Sequence, residues 1–515
     1  MEHISELLSN VYVWSIAKGV YKMSNRFEFK VTAGLLLLAL IVMLVGSAAP
    51  AARVALASSP VGDAVSTFTY TQNMHPLGFS ARENTASPFT ANSDIAFWGN
   101  LAYHGNYDGF RIVDISAPAN PVEVLDYREC AGNQGDVIVW GNILVRSWNS
   151  SAPAGATCDG EPVLPGVFPG GWEGLHIFDI SDPTDPDLVA SVETQCGSHT
   201  ATGVPDLAND RLLVYNSPSS GLCPGIDIVE VPLSDPASAS YLRFEPAGRS
   251  CHDTGVILGD VNLVSCAGGN GFTVWSMDAA SSGSLEDPMQ LYSRSITGVT
   301  IGHSASFTWD GEVLIFGHEP GGGAGARCQA TSSVTDRSLF FFEASTGTLL
   351  GTILHPRPQT AQENCTWHNF NVVPSDKRHV LVAGNYQSGT SVVEFTDPAA
   401  AQEIAFADPA PLSPTSLILG GDWSTYMYDG RLYVSDITRG LIGWDLSDNV
   451  VAGVMKFGHL NPQTQETSFP FKGTAFGKSK PAADQQGFVI FGESEPGDVS
   501  GGAGAEEDFG GDGGD

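Results

Sequence analysis

The chain has 515 residues, enough for one large domain or several ordinary ones, and its 42% hydrophobic content is that of a soluble globular protein. Its 57 Asp and Glu against 24 Lys and Arg give a formal charge of −33, a field that repels nucleic acid and anionic lipid and argues against a phosphate-backbone partner. The 59 glycines and 31 prolines are spread along the chain, as expected for many short strands joined by turns.

At the N-terminus, Arg26 and Lys30 precede a 15-residue apolar run, Val31 to Val45, and Ala55-Leu56-Ala57 has the form of a cleavage site. This is the layout of a secretory signal peptide, and the run is shorter than the roughly 20 residues a spanning helix needs. Met23 would begin a signal of ordinary length. Residues 1–57 therefore read as a signal peptide or, if uncleaved, an N-terminal membrane anchor helix, the sole membrane contact expected. Export follows, with the protein secreted or held at the outer face of the cell membrane. Residues 58–91, rich in Ser, Thr, Ala and Pro, read as a linker or extension, serving as a stalk or as a closing strand.

Seven related segments come next: "GFRIVDIS" (109–116), "GLHIFDIS" (174–181), "GIDIVEVP" (225–232), "GFTVWSMD" (271–278), "SLFFFEAS" (338–345), "GTSVVEFT" (389–396) and "GLIGWDLS" (440–447). Their starts are 65, 51, 46, 67, 51 and 51 residues apart, and a recurring spacing near 50 with insertions indicates repeated four-stranded sheets. Gly or Ser opens each copy and an apolar run suits a strand buried on both faces. The acid at the sixth position of most copies can accept hydrogen bonds from turn amides. A second strand lies upstream of each copy ("NLAYHG", "NILVRS", "RLLVYN", "VNLVSC", "EVLIFG", "HVLVAG", "RLYVSD"), most often after Gly-Asn or Asp-Gly, which is hairpin chemistry. The fold expected is all-β, a seven-bladed β-propeller of four-stranded antiparallel blades over residues 92–492. Closure of the ring removes the sheet edges that separate sheets would leave open.

"GFRIVDISAPANP" and "GLHIFDISDPTDP" resemble the LVIVD-repeat β-propellers, mostly exported bacterial proteins of unassigned biochemical role. The resemblance covers residues 92 to 460, and its middle copies depart from the Asp-Ile-Ser ending. The blade plan is also similar to that of WD repeats, whose dipeptide Trp444-Asp445 reproduces.

When the blades are aligned on the hairpin turn, with a three-residue insertion in blade three and a one-residue insertion in blade six, the residue about seven before it is Asn92, Gln134, His199, His252, His303, His368 and Asp422. The innermost strand of a propeller blade lines the central channel, so four of the chain's 12 histidines would gather at one mouth. Three readings compete. Converging neutral imidazoles bind a transition metal ion (Zn, Cu or Fe), with Asp422 as a ligand or as an orienting carboxylate. Alternatively, each histidine hydrogen-bonds within its own blade, as the likeness to WD repeats implies. In the third, the ring holds a small polar ligand or an anion. "FGHEPGGGAGARC" adds His318 and Glu319 ahead of a Gly-rich loop, which reads as a long flexible connection stapled by Cys328. No nucleophile elbow, zincin or EF-hand motif is present, so catalytic residues are unassigned.

Eight cysteines lie beyond the signal: Cys130, Cys158, Cys196, Cys223, Cys251, Cys266, Cys328 and Cys365. In an exported chain an even number favours disulfides, and sequential pairing is expected. "QQGFVIFGES" (485–494) reads as one more strand that could close the ring, and residues 493–515, with eight acids and no base, as a disordered acidic tail. The function expected is that of an extracellular binding or interaction module, monomeric, presenting loops to a protein, glycan or small ligand. The alternative is a metal-dependent enzyme, an oxidase for instance, with the metal on the propeller axis.

Overall fold

A strand with apolar residues on both faces must be covered on both, and sheets stacked side by side around an axis satisfy that requirement for every blade. The computed structural model describes residues 61–82, 91–149, 151–163, 172–375, 377–451 and 453–467. It holds seven four-stranded antiparallel blades. Their innermost strands are Asn92–Trp98, Val137–Trp140, Thr200–Asp206, Cys251–Leu258, Gly302–Phe307, Asn369–Val372 and Asp422–Tyr428. The seven sequence repeats form the third strands, and Gly271–Ser276 is buried along its whole length. The sixth-position acids behave as expected at Asp114, Asp179 and Glu394, each accepting the backbone N–H two residues on.

Seven hydrophobic clusters account for the ring, one between each pair of neighbouring blades. Ile95 and Phe97 of blade one pack with Tyr426, Tyr428 and Tyr433 of blade seven, so the last interface has an apolar cluster of its own like the other six. Phe97 stacks on Tyr428 with ring centroids 4.6 Å apart.

Closure comes from the N-terminal side. Met74–Ala81 pairs antiparallel with Gly440–Leu446 and becomes the outermost strand of blade seven, while Phe68–Tyr70 adds a strand to Gln402–Pro409 of blade six. The segment 58–91 thus includes the closing strand. The signal or anchor, the strand expected at 485–494 and the acidic tail lie outside the described residues. No helix among the described residues is long and apolar enough to cross a membrane.

The C-terminal segment takes an unexpected path. Residues 459–467 cross the channel mouth at which the inner strands end. His459–Leu460 pairs with blade one, and Thr464–Glu466 runs parallel to Val256–Leu258 of blade four. Side chains complete the join: the Asn461 amide bonds both N–H and C=O of Val139, Thr464 donates to the Gly203 carbonyl, and the Gln465 amide bonds both N–H and C=O of Phe307. Inner strands of blades one to five are tied to this one segment.

All four disulfides join cysteines in sequential order: Cys130–Cys158, Cys196–Cys223, Cys251–Cys266 and Cys328–Cys365.

Candidate metal centre in the axial cavity

At the opposite mouth, where the inner strands begin, lies a cavity of about 340 Å³. His199 immediately precedes the inner strand of blade three, His252 and His303 lie within those of blades four and five, and His368 precedes that of blade six. In blade four, Cys251 pairs with Gly268 and Asp253 with Ala267, so a bulge leaves His252 out of the ladder. In blade five, the register slips between Gly302 and Ala305 and releases His303 in the same way.

The four rings follow one another around the wall, with centroids 4.2 Å apart for His199 and His252, 4.0 Å for His252 and His303, and 4.3 Å for His303 and His368. Their outer nitrogens are held. His252 Nδ1 meets Asp253 Oδ1 at 3.0 Å, His303 Nδ1 meets Ser304 Oγ at 2.6 Å, and His368 Nδ1 donates to the Trp423 carbonyl at 2.6 Å. Asp253 Oδ2 in turn accepts from Ser304 Oγ at 2.7 Å, so one carboxylate orients two imidazoles. The Nε2 atoms of these three face a shared carboxylate, Glu319, at 3.8 to 4.0 Å, and His199 Nε2 lies 2.9 Å from His252 Nε2. Anchoring one ring nitrogen fixes the tautomer and aims the other, the arrangement that supports metal-ligating histidines.

Glu319 is delivered by the second strand of blade five. It follows Val313–His318, and its Oε1 accepts the Tyr386 hydroxyl at 2.6 Å. The Gly-rich loop is closely fitted at this point. Gly323 has φ +67°, and a Cβ there would stand 2.3 Å from the Tyr386 hydroxyl and 2.5 Å from Glu319 Oε1. Tyr386 itself has φ +56°, a left-handed conformation that costs a bulky residue about 1–2 kcal/mol and that here puts its hydroxyl on Glu319. The Cys328–Cys365 disulfide ties the same connection down.

Burial holds the His199 and His303 imidazoles well below their ordinary range, reinforced by neighbouring histidines, and His368 at about 4. All three are therefore neutral, the ligating form. Burial also pushes on His252, but its hydrogen bond to Asp253 and the charges of Asp253 and Glu319 outweigh it and raise that imidazole. Burial raises the Glu319 carboxyl, opposed by His252 and Tyr386.

Asp422 does not join the cluster. Its Oδ2 accepts from Thr390 Oγ1 at 2.6 Å, and its backbone pairs with Tyr386. The bulge of blade seven falls between Asp422 and Ser424, so the residue released toward the axis, as His252 is in blade four, is Trp423. His318 does not join the cluster either: it is buried, and its Nε2 accepts the Thr300 N–H. Sequence reasoning named Glu319 without assigning it to the axis and missed Tyr386, Trp423, Asp94 and Asp136. The acids had a signal: in "SDIAFW", "GDVIVW" and "HDTGVI" an Asp stands near the start of the inner strand of blades one, two and four.

Two other gatherings of His and Cys, Cys130/Cys158/His176 and Cys328/His355/Cys365, have their sulfurs in disulfides and no thiolate to offer a metal. The remaining trios, His252/Asp253/His303 and His303/Glu319/His368, both belong to the axial wall.

The LVIVD repeat family model matches residues 91–129 and 170–194, which are blade one with its flanks and the outer half of blade two. Among solved structures the chain is similar to the computationally designed Ika8 protein, at 10% identity over 72% of this chain and 100% of that one, with a TM-score of 0.41. No curated protein matches it.

Proposed function

This chain is an LVIVD-repeat β-propeller, and from that premise we propose that its axial cavity holds one transition metal ion, Zn, Cu or Fe, on His199, His252, His303 and His368. The observation that carries the reading is the set of anchored Nδ1 atoms at His252, His303 and His368, with every Nε2 left facing Glu319. Histidines serving only their own blades would have no reason to present their second nitrogens to one point. The donor set fits the group: imidazoles suit these ions, His303, Glu319 and His368 offer ligand atoms within 4.8 Å of one another, and His199 and His252 bring Nε2 atoms 2.9 Å apart beside them. Glu319 supplies negative charge to the centre, and Asp253 orients two ligands.

Bound there, the ion would act as a Lewis acid or redox centre toward a small molecule entering the mouth. This is the metal-dependent enzyme reading, in an exported protein whose four disulfides suit an oxidising compartment. An interaction role for the rim is supported separately by Leu417, Ile418 and Leu419, which are exposed beside the mouth.

Elemental analysis of protein purified without a histidine-rich tag tests the centre. One transition metal per chain is expected, lost in the His252→Ala/His303→Ala variant. A protein that stays metal-free after reloading with Zn, Cu and Fe would end this reading.

A further inference from the structure

The histidines occupy one part of the cavity wall, and aromatic and apolar side chains continue it. Trp423 stands in blade seven where a histidine stands in blades four and five, freed from the ladder by the bulge between Asp422 and Ser424. Its carbonyl anchors His368 Nδ1, and its ring lies at 82° to that imidazole with centroids 5.1 Å apart. Tyr107, between the second and third strands of blade one, stands at 90° to Trp423 with centroids 6.4 Å apart, and Tyr386 at 88° and 6.5 Å. All three rings line the cavity.

Leu419 extends this surface to the rim. It lies in the connection between blades six and seven, which two buried amide side chains hold in place. Gln387 accepts the Leu412 N–H at 2.8 Å and donates to the Ile418 carbonyl at 2.5 Å, and Asn364 accepts the Gly420 N–H at 3.4 Å. Leu419 is thereby set against the cavity while 56% exposed. An apolar side chain held in water at the edge of an aromatic wall is surface that a ligand would cover.

We infer that this wall seats a neutral aromatic molecule bearing a hydroxyl group, its ring against Trp423 and Leu419 and its oxygen toward the histidines. The inference rests on the cavity being the functional site proposed above, and it names the class of molecule admitted there.

Charge and shape choose this occupant. No Lys or Arg lines the cavity and four carboxyl groups do, so a carboxylate or phosphate is repelled. An organic cation finds those carboxyls already engaged. Asp94 accepts the Ile95 N–H and the Tyr426 hydroxyl, and Asp136 the N–H groups of Ala201 and Val137. Asp253 holds His252 and Ser304, and Glu319 holds Tyr386. Among neutral molecules an aliphatic ring would gain from burial alone, whereas an aromatic ring also matches the faces and edges of rings set perpendicular to one another. A hydroxyl gives the imidazole side a polar partner that a plain hydrocarbon would lack. The volume of about 340 Å³ is at the small end of ligand pockets and suits one ring with short substituents.

Isothermal titration calorimetry of the full chain, metal-free and metal-loaded, tests this with 4-methylphenol, 4-methylcyclohexanol, 4-methylbenzoate and 4-methylbenzylammonium as probes of similar size. The phenol should bind most tightly. Trp423→Ala keeps the carbonyl that anchors His368 and should weaken the phenol about ten-fold or more, and Trp423→Phe should restore most of the loss, with metal content unchanged in both. Leu419→Ser, at an exposed position, should weaken it several-fold. Binding of the cyclohexanol or the ammonium as tight as that of the phenol would overturn the inference. So would an unchanged affinity in folded Trp423→Ala or, should that variant not fold, in Leu419→Ser. Phenol bound through Trp423 in a protein that takes no metal would uphold the seat and remove the metal centre. Metal without phenol binding would do the reverse.

Discussion

Asp94 lies fully buried against Tyr426, and burial lifts its carboxyl to about 6 from an ordinary value of 3.8. Between those values the native chain keeps a proton that the unfolded chain has released, so this group's contribution to stability falls as pH rises through that window. Above about pH 6 the penalty is complete. Asp94→Asn removes the ionisation, so the stability of the metal-free variant relative to wild type should increase from about pH 4 to about pH 7 in urea unfolding. A difference that stays constant over that range would show that Asp94 does not carry the charge described. The same scale shows what could be read ahead of the structure. Four histidines at one mouth were legible because, once insertions in blades three and six are allowed for, each lies at the same position ahead of its hairpin. Asp422 was misaligned by a single residue. Alternate residues of a strand face opposite sides, and the bulge in blade seven frees Trp423 instead. Counting residues from a turn cannot locate a bulge.

Elements differ in the same respect. The third strands announced themselves because they are covered on both faces and carry largely apolar runs. The closing strand, "MHPLGFSA", contains Pro76 and Gly78 and pairs with Gly440–Leu446 more than 300 residues away, so no local pattern marks it. The segment "HLNPQTQET" across the far mouth is less legible still, since its polar side chains stand in for backbone. Gln465 makes with Phe307 the pair of bonds that a neighbouring strand would make. Gln465→Ala strands a buried N–H and a buried C=O of blade five and should cost about 2–4 kcal/mol, read as a lower denaturant midpoint. A loss under about 0.5 kcal/mol would mean that water reaches Phe307 and that the segment does not bind its strands tightly.

Across the molecule, 57 acids against 24 bases set up a negative field, and the axial cavity is lined, among the described residues, by four carboxyl side chains and no lysine or arginine. Such a field draws cations inward, and salt screens it over about 8 Å at physiological ionic strength. The rate at which the metal-free protein takes up Zn(II), followed by stopped-flow tryptophan fluorescence, should fall several-fold as sodium nitrate rises from about 20 to about 300 mM. A flat response would place the attraction in the cavity alone. The segment over the far mouth has a different consequence. It binds the inner strands of five blades together at that mouth. On the reading proposed above, a molecule admitted to the axial cavity would leave by the mouth it entered, and one seated against the histidines would keep the next outside.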